Sequence, residues 1–220
     1  MSHNLLPGLV LSFVTCAALA APFPLRADPP ATSAVQRAEL SARLYLAGQE
    51  IGDAIMVLAA ARLRQSINPT EDAAWPVLRE GEAMALGAEE PLRAVEMLDT
   101  ARALAAGDAA LLGLIEDAEA ERTKGVASGP LYNIGTLARG GRDRYDALPF
   151  RGGEYAEIYV EARSRADLRL TVTDAQGRLV CSDSDRSHIA YCGWRPDQPG
   201  RFTITVENRG QGTSYALMTN

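Results

Sequence analysis

The sequence predicts an α+β chain, a helical N-terminal half followed by an antiparallel, jelly-roll-like β-sandwich. Three observations carry that expectation. Residues 33–124 are rich in Ala, Leu and Glu, with apolar positions recurring at helical spacing. From about residue 131 the apolar period becomes two, as a strand with one buried face requires. Between them lies KGVASGP, residues 124–130, where Gly125, Gly129 and Pro130 stop a helix. The organisation expected is a leader at 1–20, a proline-rich linker at 21–32, a helical domain at 33–124, a linker and first strand at 125–142, and a sandwich at 143–220.

Residues 5–20, LLPGLVLSFVTCAALA, form an uncharged apolar run ending in small residues. Ala18-Leu19-Ala20 has the A-x-A form that a signal peptidase cuts. Pro22, Pro24, Pro29 and Pro30 then keep the new terminus extended. A membrane anchor would need about 20 apolar residues, and Pro7, Gly8 and Pro22 interrupt this run. Lipid attachment at Cys16 would place Phe13 and Thr15 in a box that they fit poorly. The expected compartment is therefore periplasmic or extracellular, as for an exported protein of the Gram-negative type, with no span left after cleavage.

Five helices are expected in the first half. Residues 34–47 carry Val35, Ala38, Leu40, Ala42, Leu44 and Tyr45 near one face and stop at Gly48. Residues 53–66 follow, with Asp53 as N-cap, and end at Asn68-Pro69. A third helix runs from Thr70, which can cap an acidic first turn, to about Gly87. Pro91 opens a fourth that stops at Gly107. Asp108 caps a fifth. Short links make them antiparallel neighbours in a bundle of hairpins. Ala42, Tyr45, Ala54, Leu58 and Ala61 have a small–large spacing that Ala94, Leu98 and Ala101 echo 40 residues later. This is loosely similar to a tetratricopeptide hairpin, although that unit repeats at about 34 residues. Alanine at any helix crossing produces the same pattern.

In the second half, EYAEIYVEA (154–162) alternates Ala156, Ile158 and Val160 with Tyr155, Glu157, Tyr159 and Glu161. Leu168, Leu170 and Val172 alternate with Arg169, Thr171 and Thr173, and Phe202, Ile204 and Val206 with Thr203, Thr205 and Glu207. Each set is a strand with one face on a core. Asp174 and Gly177 bracket a tight turn, Pro199-Gly200 opens a strand, and Gly210 and Gly212 precede the last one. About seven such strands predict a sandwich.

The charges are uneven. Residues 33–124 hold 9 basic and 16 acidic side chains, and residues 125–220 hold 12 and 11. That leaves no basic footprint for nucleic acid. Loss of the leader removes Cys16 and leaves Cys181 and Cys192, an even pair that an oxidising compartment joins. They bound CSDSDRSHIAYC, residues 181–192. Zinc needs closer ligand pairs than two cysteines and His188 supply. A thioredoxin-type site needs C-x-x-C. Asp183 and Asp185, with Ser184, offer oxygens for calcium but lack the spaced D-x-D-x-D-G loop. His188 has no G-x-S-x-G partner, so a Ser-His-Asp hydrolase is not indicated. No catalytic residue is assigned. Tyr191 and Trp194, flanking Cys192, are expected to pack on the disulfide and the core.

Asp167-Leu168-Arg169-Leu170, the turn from Asp174 to Gly177, Pro196 to Gly200, Val206 to Asn208 and Tyr215-Ala216-Leu217 occur in that order over residues 143–220. This succession resembles the bacterial pre-peptidase C-terminal domain. The resemblance implies a non-catalytic accessory β-sandwich concerned with secretion, localisation or matrix binding. Some related domains bind calcium, but the family often has a second Asp where this chain has Arg169. The expectation is an exported adaptor without a cofactor, its helices docking a protein partner and its sandwich an envelope component or partner. Two alternatives are a small hydrolase using acidic residues of the helical half, and a calcium-responsive binding module.

Overall fold

A computed structural model describes residues 32–67, 69–71, 75–82, 84, 90–121, 130–163 and 166–220. The expected leader, all of the expected linker but Thr32, and the helix-to-strand junction but for Pro130 lie outside the described residues. Residues Thr32–Asn220 form one compact unit.

Four helices lie among the described residues. The first, α1 (Ala34–Ile51), starts in a capping box: Ser33 Oγ accepts from the Gln36 N–H, and Gln36 Oε1 accepts from the Ser33 N–H. It does not stop at Gly48 as expected. Gly48 is buried, and a Cβ there would lie 2.7 Å from Val57 Cγ2, so its function is close helix contact. The helix ends instead at Gly52, whose φ of 70° suits glycine. The second, α2 (Ala54–Gln65), and the last, α4 (Ala109–Ala120), are capped by Asp53 and Asp108 as expected. The helix α3 (Ala94–Leu104) starts three residues beyond Pro91, with Arg93 at its N-cap. Ala54, Leu58, Ala61, Leu98 and Ala101 do share one buried cluster.

The expected third helix is not formed among the described residues of its range, 70–71, 75–82 and 84. The chain instead makes β1 (Thr70–Glu71) and β2 (Val77–Glu80). Each joins a sheet whose other strands come from the second half: β3 (Leu131–Leu137), β4 (Arg142–Phe150), β5 (Ala156–Ala162), β6 (Leu168–Thr173), β7 (Leu179–Asp183), β8 (Ile189–Trp194), β9 (Gly200–Asn208) and β10 (Thr213–Thr219). The two sheets run β1-β3-β10-β5-β8 and β2-β4-β9-β6-β7. Every pairing is antiparallel except β1 with β3. Side chains such as Ile158, Leu170, Val172, Ile204 and Leu217 fill the space between the sheets. The β6–β7 turn is built as its sequence suggests, with Asp174 Oδ1 accepting from the Gln176 and Arg178 N–H groups.

Two polar contacts explain why local pattern did not decide everything. On β2, Arg79 clamps the wholly buried Asp143 of β4 through two hydrogen bonds of 2.7 and 2.8 Å. Asp143 in turn accepts from the Tyr215 hydroxyl at 2.8 Å, which lies 2.7 Å from that of Tyr145. A helix at this position would leave Asp143 a buried, uncompensated anion. The second contact lies on the outer face of the β5 sheet. All seven residues of β5 are buried, including Glu157, Tyr159 and Glu161, expected to face solvent. That face is covered by α1, where Val35, Ala38 and Ala42 meet Tyr159, Ile189, Ala216 and Met218. Through this layer Arg64 of α2 reaches Glu161, with bonds of 2.8 and 3.3 Å, and also bonds Ser41 Oγ and the Ala38 carbonyl. Burial works against the Arg64 charge, but Glu161 more than offsets it and holds the guanidinium above its ordinary value.

Removing one partner of such a pair leaves the other buried and unpaired. Arg64→Ala should therefore cost about 3–5 kcal/mol in urea unfolding, whereas Arg64→Met with Glu161→Leu should cost much less.

Candidate functional site

The stretch between the cysteines has two roles. Cys181 on β7 and Cys192 on β8 are joined, with Cα atoms 5.9 Å apart. β7 is the edge of one sheet and β8 the edge of the other, so the disulfide closes one side of the sandwich. Cys192 is wholly buried. The intervening loop is held by its own polar groups. Asp183 Oδ2 accepts from the Tyr191 N–H at 2.9 Å, the Ser187 carbonyl from the Leu168 N–H, and the His188 carbonyl from the Ala162 N–H. Burial and the Asp183 charge push the Asp185 carboxyl up, and Arg43 of α1 opposes them. The Asp183–Asp185 pair therefore already has a cation nearby. Among the described residues, no group of three or more His, Cys, Asp and Glu is placed to hold a metal. Trp194 packs in the core against Phe150 and Phe202, at centroid distances of 4.8 and 5.3 Å. Tyr191 is half-buried and donates its hydroxyl proton to Glu157 at 2.7 Å.

The same loop also forms one wall of a groove of about 890 Å³. Arg186, Ser187 and His188 line that wall, and Tyr45, Leu46, Gln49 and Glu50 of α1 line another. Leu92 comes from just before α3 and Glu96 from its first turn, Glu161 and Ala162 from the end of β5, and Arg163 from the residue that follows it. His188 is half-buried here, not an exposed loop residue. Glu161 is held by Arg64, as above. Glu96 accepts from Arg163 at 2.8 Å and from Arg93 at 3.3 Å. Burial pushes the Glu96 carboxyl up, but the bond and charge of Arg163 and the bonds from Arg93 outweigh it, so it lies below its ordinary value. Sequence reasoning reached His188 through the cysteine stretch. It did not single out Glu50, Glu96, Arg163 or Arg186, because each is one charge among many and only the fold brings α1, the first turn of α3, the end of β5 and the loop together.

No family model matches the chain, and no curated protein matches it. Parts of it are similar to solved structures. One is the pre-peptidase C-terminal domain of collagenase from Bacillus anthracis, at 13% identity and a TM-score of 0.32, covering 40% of this chain and 87% of that one. A second is a periplasmic inhibitor of g-type lysozyme from Aeromonas hydrophila, at 12% and 0.32, covering 43% and 87%. A third is a carbohydrate-binding module of Cellvibrio mixtus lichenase, solved with cellotriose, at 12% and 0.25, covering 40% and 86%. Identities and TM-scores this low assign neither a family nor a function.

Two measurements follow from this geometry. The loop closed by the cysteines is short, so Cys181→Ala with Cys192→Ala should lose roughly 3 kcal/mol in the chain-entropy model, read from unfolding midpoints with and without reductant. Folding lowers the Glu96 pKa. Its contribution is thus complete above the unfolded value of about 4.3 and disappears as pH falls through the folded value. Between about pH 5 and 3 the wild type should lose more stability than Glu96→Gln, measured as urea midpoint against pH.

Proposed function

We propose that the chain is an exported, non-enzymatic binding protein whose partner engages the groove between α1, α3 and the disulfide-bounded loop. The sandwich is its scaffold and, as the pre-peptidase resemblance implies, an accessory module for secretion, localisation or attachment to the envelope. Export is supported by the expected leader at residues 1–20 and by the bridge between Cys181 and Cys192. Among the described residues no helix is long and apolar enough to cross a membrane.

One observation carries the binding reading. Two of the three acidic side chains that line the groove are already engaged by guanidinium groups, Glu161 by Arg64 and Glu96 by Arg163. A hydrolase built on carboxylates needs one that holds a proton near neutral pH, which burial without a cation provides. Glu96 is driven the other way. The calcium-responsive alternative predicts a melting midpoint that rises with calcium and falls back with chelator.

The reading is tested with the mature chain as bait in a periplasmic extract, beside a Gln49→Trp variant. Gln49 is exposed in the groove, so the indole should obstruct it without disturbing the fold. The expected result is a partner whose recovery falls by about tenfold with the variant, equivalent to roughly 1.4 kcal/mol. Repeated failure to recover any partner, or equal recovery by both baits, counts against the groove.

A further inference from the structure

Two charges that line the groove are not committed. Glu50, near the end of α1, and Arg186, in the loop between β7 and β8, are both exposed and form no ion pair among the described residues. They contrast with Glu96, Glu161 and Arg163, which are paired in the same groove. One uncommitted charge is anionic and the other cationic, and they stand on different walls. Tyr45, Leu46 and Leu92 supply apolar surface in the groove.

Ligand chemistry follows from desolvation. A neutral ligand, such as an uncharged saccharide, would strip water from a carboxylate and a guanidinium and return only neutral hydrogen bonds. Charge-assisted bonds are roughly twice as strong, and a charge desolvated without a partner is costly. A ligand that carries a complementary charge toward each wall returns both interactions. An extended peptide does so readily, because successive side chains point to opposite sides at a rise of about 3.3 Å per residue. A groove of about 890 Å³ also lies within the roughly 300–1,000 Å³ typical of ligand clefts.

We infer that the groove takes an extended peptide segment of a partner protein, with a basic side chain against Glu50 and an acidic side chain against Arg186. This inference rests on the binding reading above and names the ligand class. The two charges also set the direction in which the peptide lies, since reversal would oppose like charges.

The test uses a displayed library of random linear peptides selected on the full mature chain, followed by fluorescence anisotropy with a synthetic peptide of the selected consensus. The consensus should hold one basic and one acidic position at a fixed separation. Glu50→Arg alone and Arg186→Glu alone should each weaken that peptide by about fivefold, the size of an exposed ion pair. The double variant should prefer a peptide with the two charges exchanged. Both residues are exposed, so unchanged melting midpoints confirm that folding is not the cause. A consensus without the charge pair, or a double variant that still prefers the original peptide, overturns the inference. Capture of a partner that Gln49→Trp abolishes, with no peptide consensus, overturns it too while leaving the binding reading intact. Loss of both results removes the two together.

Discussion

The ion pair between Arg64 and Glu161 is the contact on which the arrangement of this chain depends. It joins the helical layer to strand β5, with side-chain exposures of only 6% and 3%. Against well-packed apolar residues of the same volume such a pair adds little net stability. Its effect is on alignment. One carboxylate on β5 and one guanidinium on α2 satisfy each other in one register of helix against sheet, and every other register buries a lone charge. Ser41 and the Ala38 carbonyl take further guanidinium protons, so α1 is held in the same register. The Tyr159 phenol is wholly buried beside the pair, and burial together with the Glu161 charge holds it well above its ordinary value.

Once α1 is seated, the rest of the sandwich has two open sides, and each is closed differently. On the β7–β8 side the closure is covalent, through Cys181 and Cys192. On the β3–β4 side two strands that lie in sequence between α2 and α3 are added, β1 to one sheet and β2 to the other. Trp75, between those strands, meets the Tyr145 ring edge-on at 6.3 Å. Arg79 then neutralises Asp143 in the interior. The helical segment is thus part of the sandwich's structure: cut between residues 122 and 130, the C-terminal piece would lose a strand from each sheet and the cation for its buried carboxylate.

Much of this was legible locally. Asp53 and Asp108 cap helices because a side-chain oxygen placed before an apolar periodic run satisfies free N–H groups. Leu168-Leu170-Val172 and Phe202-Ile204-Val206 read as strands because alternation alone sorts their two faces. The misreadings share one cause. Thr70-Glu71-Asp72 has the local chemistry of a helix start, yet the Thr70 N–H bonds the Pro130 carbonyl and Arg79 pairs with a residue 64 positions away. Gly48 has the look of a helix stop, yet its missing side chain admits Val57. Glu157 and Glu161 have the polarity of a solvated face, but both are buried, where Glu157 accepts from the Tyr191 hydroxyl and Glu161 from Arg64. In each case a partner distant in sequence overrode the local preference.

The candidate site belongs to the same class of feature, which is why only one of its walls showed in the sequence. CSDSDRSHIAYC attracts attention as a cluster of chemically active residue types. In the fold its cysteines, Asp183 and the Ser187 and His188 carbonyls are all engaged in holding the edge of the sandwich. The part of the loop that lines the groove has no evident motif: it is Arg186, Ser187 and His188, and the Ser187 hydroxyl there also accepts from the Ile189 N–H. They form a groove only because α1 and the first turn of α3 stand opposite: α1 covers the outer face of β5, and α3 packs on α2 within the helical cluster. The groove is therefore a consequence of how the two halves are joined, and a change that loosens Arg64 from Glu161 should alter it before it alters either core.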